Sequence, residues 1–93
     1  MIRVADYVVQ FLEDYGVEDI FAVSGGGSIF LCDAVASAKK LKYYCCHHEQ
    51  AVSIATEAYA RAKDSLGVSL VTTGPGATNA LTGMCCSWMD SVP

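Results

Sequence analysis

The stretch "GVSLVTTGPGATN", Gly67 to Asn79, decides how this chain is read. Its first seven residues form a short apolar, β-branched run of strand type, and the run ends at a Gly-Pro-Gly turn. The following "ALTGMCCSWMD", Ala80 to Asp90, suits a helix. A strand, a glycine-rich loop and a helix in that order are one unit of a parallel α/β sheet.

Working outward, the unit recurs twice on the N-terminal side. "DIFAVSGGGS" holds a short apolar run, Ile20 to Val23, stopped by three glycines, and "IFLCDAVASAKK" after it reads as a helix with lysines in its last turn. "LKYYCC", Leu41 to Cys46, is a compact aromatic strand, and "EQAVSIATEAYARAK", Glu49 to Lys63, is an Ala-rich helix with Arg61 and Lys63 at its end. The chain opens with a further helix, in which Val4, Val8, Phe11, Leu12 and Tyr15 share one face and Gly16 is the stop. The expected fold is therefore α/β, a parallel sheet with flanking helices, right-handed crossovers and apolar strands buried on both faces.

In such a sheet ligands gather at the carboxyl ends of the strands. Those ends are "SGGG", "HHEQ" and "TTGPGATN".

Composition narrows the function. Ninety-three residues, 53% of them apolar, make at most one small domain. The net charge of −4, with lysines and arginines scattered, argues against nucleic acid and anionic membranes as partners. Asp6, Glu13 and Asp14 interrupt the N-terminal apolar residues, so the start does not read as a secretory signal, and a cytoplasmic protein is expected. Ser65 to Met89 carries no charge, but "TTGPGATN" within it would break a membrane helix. The five cysteines, Cys32, Cys45, Cys46, Cys85 and Cys86, contain no C-x-x-C and are odd in number, which predicts free, mostly buried thiols.

"CCHHEQ", Cys45 to Gln50, invites a metal reading, but neighbouring strand residues point to opposite faces and at most Cys46 and His48 would converge. No metal site is expected there, and His47 and His48 read as hydrogen-bonded loop residues. Gly25 and Gly27 begin a dinucleotide fingerprint that Phe30 breaks; Gly74 and Gly76 begin another that Asn79 breaks. Neither loop has a phosphate-binding lysine. Glu49 at a helix start is favourable with the helix dipole, which alone would account for it. Its place at a strand's carboxyl end, beside two glycine loops and ahead of "AVSIATEAYA", also suits a functional carboxyl whose pKa is raised so that it holds a proton near neutrality.

"HHEQAVSIATEAYARA", "GVSLVTTGPGATNALTG" and "WMDSVP", in that order, resemble the pyrimidine-binding domain of thiamine diphosphate enzymes of the acetolactate synthase type. The likeness runs through essentially the whole chain. "VSGGG" stands where acetolactate synthases proper commonly have Pro-Gly-Gly, and His47 where they often have Arg, so the resemblance leaves the substrate open.

The resemblance implies thiamine diphosphate as cofactor. It places Glu49 on N1′ of the aminopyrimidine, where sharing a proton favours the imino tautomer whose 4′-nitrogen deprotonates C2 of the thiazolium, ready for a 2-keto acid or related carbonyl. Thr73, Gly74, Pro75 and Gly76 would line the cofactor, Asn79 would anchor their loop, and Gly25 and Gly26 would approach the aminopyrimidine or substrate. Residues 1–93 would then be the N-terminal portion of a pyrimidine-binding domain. The Gly-Asp-Gly motif and later Asn of the domain that holds pyrophosphate and magnesium are not among them, so Mg2+ would be bound elsewhere. The expectation is an incomplete lyase or transferase, inactive alone and oligomeric when complete; the alternative is a truncated, non-catalytic remnant or an interaction module.

Overall fold

The computed structural model describes residues 1–93. The elements follow in order as α1 (Val4–Tyr15), β1 (Asp19–Ala22), a 3-10 turn (Gly26–Ser28), α2 (Ile29–Ala36), β2 (Lys42–Cys45), α3 (Glu49–Lys63), β3 (Ser69–Leu70), α4 (Pro75–Asn79) and α5 (Leu81–Met89). The three strands form one parallel sheet in the order β2-β1-β3, so the α/β architecture expected from the sequence is present.

The alternation of β1 divides the core. Ile20 and Ala22 are buried, and Ile20 packs with Ala5, Val9, Val17, Ala34, Val35 and Leu41 on the side of α1 and α2. Asp19 and Phe21 point the other way, toward α3: Phe21 stacks on Tyr44 with ring centroids 5.5 Å apart and meets Tyr59 edge-on at 5.7 Å. Asp19 accepts from Tyr59 Oη at 2.6 Å and from Tyr44 Oη at 3.2 Å, and these donors hold its carboxyl below its ordinary pKa.

Several local expectations give way to packing. In α1 the buried residues are Ala5 and Val9, whereas Val4, Val8, Phe11 and Tyr15 of the expected face are exposed. The helix offers two apolar stripes, and the one with smaller side chains is the one set against Ala34 and Val35 of α2. Lys39 and Lys40 lie beyond the end of α2, because Glu13 draws the chain into a turn by accepting from the backbone N–H of Lys40 at 2.6 Å and of Leu41 at 3.2 Å. The β2 strand is exposed along its length instead of buried on both faces, since it forms the outer edge of the sheet. The β3 strand is two residues long, not seven, for it pairs only with β1. The five cysteines are free, but Cys45, Cys85 and Cys86 are exposed and Cys32 and Cys46 are only partly covered.

The α3 and α5 helices pack closely at Gly83, where an added Cβ would lie 2.6 Å from Ser53 Cβ and 3.0 Å from the Ile54 backbone nitrogen. Gly83→Ala is expected to lower stability by about 1–3 kcal/mol through this overlap, despite the better helix propensity of alanine. Urea denaturation of the single mutants and of Gly83→Ala with Ser53→Gly checks it: the double mutant should recover part of the loss. Additive losses would remove the helix contact as the cause.

Candidate functional site

The carboxyl ends of β1 and β3 are joined by Thr72. Its Oγ1 accepts from the Gly27 backbone N–H at 3.2 Å, and an added Cβ at Gly25 would stand 2.5 Å from Thr72 Cβ. A Cβ at Gly76 would stand 2.8 Å from Thr72 Cγ2. Two loops therefore meet on one threonine, two residues beyond Leu70, and no larger residue fits at either glycine without displacing it. Sequence reasoning chose Thr73, which is exposed, and missed Thr72. The available signal was a threonine at a strand end next to a neighbouring strand that ends in glycines.

The turn after β3 brings its residues to the head of α3. Gly74 has φ +66° and ψ −123°, a conformation that a side chain would strain, and Pro75 follows at the start of α4, where its fixed φ suits a first helical turn. Thr78 Oγ1 donates to Pro75 O at 3.1 Å. "GPGATN" is thus mostly a short helix and not an open loop, because proline starts it and that threonine closes it.

Glu49 is the first residue of α3. His48 caps the helix through Nδ1, which accepts from the Gln50 backbone N–H at 3.0 Å, while His47 is exposed. One carboxylate oxygen of Glu49, Oε2, accepts from Asn79 Nδ2 at 3.2 Å. The other, Oε1, faces Gly76, where an added Cβ would be 3.2 Å away. Only glycine at this position permits so close an approach to both Oε1 and Thr72.

The electrostatics correct one expectation. The Glu49 carboxyl lies below its ordinary pKa, not above: its own backbone N–H at the helix start is the largest cause, Asn79 the next, and partial desolvation only opposes them. In this structure Glu49 is a half-buried carboxylate beside an open surface. The larger clefts lie elsewhere, including one of about 560 Å³ between β3 and α5 lined by Ser69, Val71, Met84 and Trp88.

The residues singled out from the sequence are therefore distributed unevenly. Glu49, Gly76 and Asn79 come together, and Gly25 joins them through Thr72. Gly26, Thr73, Gly74 and Pro75 line the exposed side of the same strand ends, and space is open beside Gly26 and Gly74. No group of three or more His, Cys, Asp and Glu side chains comes together that could hold a metal ion. Arg3 pairs with Asp6 and Asp33, Arg61 with Glu57 and Asp90, and Lys63 with Glu18, so these cations are committed away from the site. No helix is long and apolar enough to cross a membrane.

Chemically, the arrangement offers one oriented carboxylate and an amide that donates to it at the foot of an exposed glycine turn, partners for a ring carrying a basic nitrogen. These residues fit the pyrimidine end of thiamine diphosphate. They do not supply a cradle for its phosphates or for magnesium.

Comparison with known proteins points the same way. Residues 2–93 match the family model described as "Thiamine pyrophosphate enzyme, N-terminal TPP binding domain". The chain is 43% identical over 89 residues to the acetolactate synthase large subunit of Haemophilus influenzae, covering 96% of this chain and 16% of that protein. It is 41% identical over 93 residues to the acetolactate synthase isozyme 3 large subunit of Escherichia coli, covering 100% of this chain and 16% of that protein. The large subunit of Buchnera aphidicola from Acyrthosiphon pisum is 40% identical over 89 residues, again 96% of this chain and 16% of the relative. The chain spans about one-sixth of the length of these relatives.

Proposed function

Because this chain belongs to the thiamine pyrophosphate enzyme family, matching its N-terminal TPP binding domain, we propose that it forms the pyrimidine side of a thiamine diphosphate site in an acetolactate synthase-like lyase or transferase. The substrate class is a 2-keto acid or related carbonyl compound. The observation that carries the reading is Glu49 at the head of α3, with Oε1 beside Gly76 and Oε2 held by Asn79.

When bound, the cofactor supplies an electron sink for cleavage or formation of a carbon–carbon bond next to a carbonyl. The chain's own contribution is narrower. Glu49 would hold a ring nitrogen of the aminopyrimidine by sharing a proton with it. The open side of Gly74 would leave the ring room to approach, and Thr72 keeps the Gly25–Gly27 loop against that turn. Burial of Glu49 beneath a ring would raise its pKa from the low value set by the backbone N–H and Asn79, which suits proton sharing. Magnesium and the phosphates would be held by residues other than 1–93, from a second domain or subunit, in an oligomer of the cytoplasm.

Calorimetry tests the half-site. The 93-residue chain with magnesium should show no micromolar affinity for thiamine diphosphate. A few contacts to one ring must offset a loss of translational and rotational freedom of about 4–15 kcal/mol. Adding a separately expressed pyrophosphate-binding domain from an acetolactate synthase should produce binding. Tight binding by the chain alone would overturn the half-site; no binding in the mixture would favour a non-catalytic module.

A further inference from the structure

Asn79 is the last residue of α4, and its amide is spent on Glu49. Nδ2 donates to Oε2 at 3.2 Å across thirty residues of chain, whereas Oε1 is the oxygen next to Gly76. The terminal torsion of a carboxylate is broad and its two oxygens are equivalent, so a donor on one of them acts by fixing the plane of the group. Asn79 adds such a restraint to the one from the Glu49 backbone N–H.

Both ends of the contact are held. Glu49 is fixed at the start of α3 by the His48 cap, and Asn79 ends a five-residue helix closed by Thr78 Oγ1 on Pro75 O and by the Ala80 N–H on Ala77 O at 3.2 Å. We infer that Asn79 is a positioning residue: it engages Oε2 of Glu49, fixes the plane of the carboxylate and leaves Oε1, beside Gly76, as the oxygen that meets a ring nitrogen. The identity of that ring rests on the function proposed above; the Asn79–Glu49 contact does not.

The charges around the pair are few. His48 precedes Glu49 and, when protonated, favours its ionised form. The α4 helix and the Ser24–Ser28 segment carry no charged side chain. A hydrogen bond to the carboxylate favours the charged form, so removing the Asn79 donor moves the Glu49 midpoint upward, part of the way back, since the backbone N–H remains.

The test is carbon-13 NMR of the side-chain carboxyl of Glu49 in the 93-residue chain, titrated as wild type, Asn79→Ala and Asn79→Asp. Asn79 is exposed, so both variants should keep the fold, which amide spectra verify. The midpoint should rise in the order wild type, Ala, Asp, the last because a second carboxylate replaces the donor. An unchanged midpoint in Asn79→Ala overturns the inference, even if Asn79→Asp shifts. A second arm places Asn79→Ala in an acetolactate synthase large subunit carrying this chain in place of its matching residues, and reads C2–H exchange of bound thiamine diphosphate. A fall of about 10²-fold, with cofactor affinity little changed, is expected from a misdirected carboxylate. Unchanged exchange there, while Glu49→Gln abolishes it, would overturn the positioning role. Exchange indifferent to Glu49 itself would instead overturn the function proposed for that residue and the role of Oε1, with the NMR midpoint still deciding the contact.

Discussion

Glu49→Gln is expected to slow C2–H exchange of bound thiamine diphosphate by about 10²–10⁴-fold, the range for loss of a positioned acid–base group. The measurement needs a whole synthase, so the chain is placed in the Escherichia coli isozyme 3 large subunit in place of the 93 residues it matches. Glutamine is nearly the same size as glutamate, can stand at the head of α3, and leaves the His48 cap on the Gln50 N–H undisturbed. It cannot share a proton with a ring nitrogen. The loss should therefore fall on exchange and turnover, with little change in the thermal midpoint. Exchange at the wild-type rate would remove Glu49 from the chemistry; a lower melting temperature with unchanged exchange would reduce it to a favourable charge at a helix start.

The pH dependence carries a sign. With its pKa lowered in the folded chain, Glu49 is ionised throughout the neutral range, and its charged form favours the fold above the ordinary carboxylate pKa. That contribution disappears as pH falls through the lowered folded value. A carboxyl expected to hold a proton near neutrality is thus an anion here, because the sequence neighbours of Glu49 do not reveal that its own N–H and an amide thirty residues away both favour the charge.

That discrepancy typifies what was legible in the sequence. The order of strands, glycine turns and helices could be read because each depends on local chemistry: β-branched runs, glycines that end them, an Ala-rich helix opened by Glu49. The choice between the two stripes of α1 could not, since both are apolar and only contact with Ala34 and Val35 decides it. Nor could the exposure of β2 or the brevity of β3, which follow from standing at the two edges of a three-stranded sheet. Glu49, Gly76 and Asn79 were singled out from the residues and from the family resemblance, and the structure brings these three together. Thr72 escaped because its role is to join two loops, and nothing along a single strand marks that.

Ile20→Ala is expected to lower stability by about 2–5 kcal/mol, a large part of the 5–15 kcal/mol typical of a whole domain. Only 16 of the 93 residues are buried, and Ile20 and Val52 are the largest of the fully buried side chains, so little else can compensate. They stand in different elements: Ile20 in the central strand, among the residues of α1 and α2, and Val52 in α3. Truncation at Ile20 removes the most deeply buried side chain of the cluster that includes Val9, Ala34 and Val35, and the neighbouring alanines cannot extend into the space. Ile20→Val, which removes one methyl group, should cost about 0.5–1.5 kcal/mol. Denaturant unfolding of the two variants separates causes. A loss that grows steeply from Val to Ala at constant m-value marks a cavity that does not collapse. Near-equal losses would mean that the α1–α2 layer closes over the gap, and that the central strand tolerates a smaller residue than its burial implies.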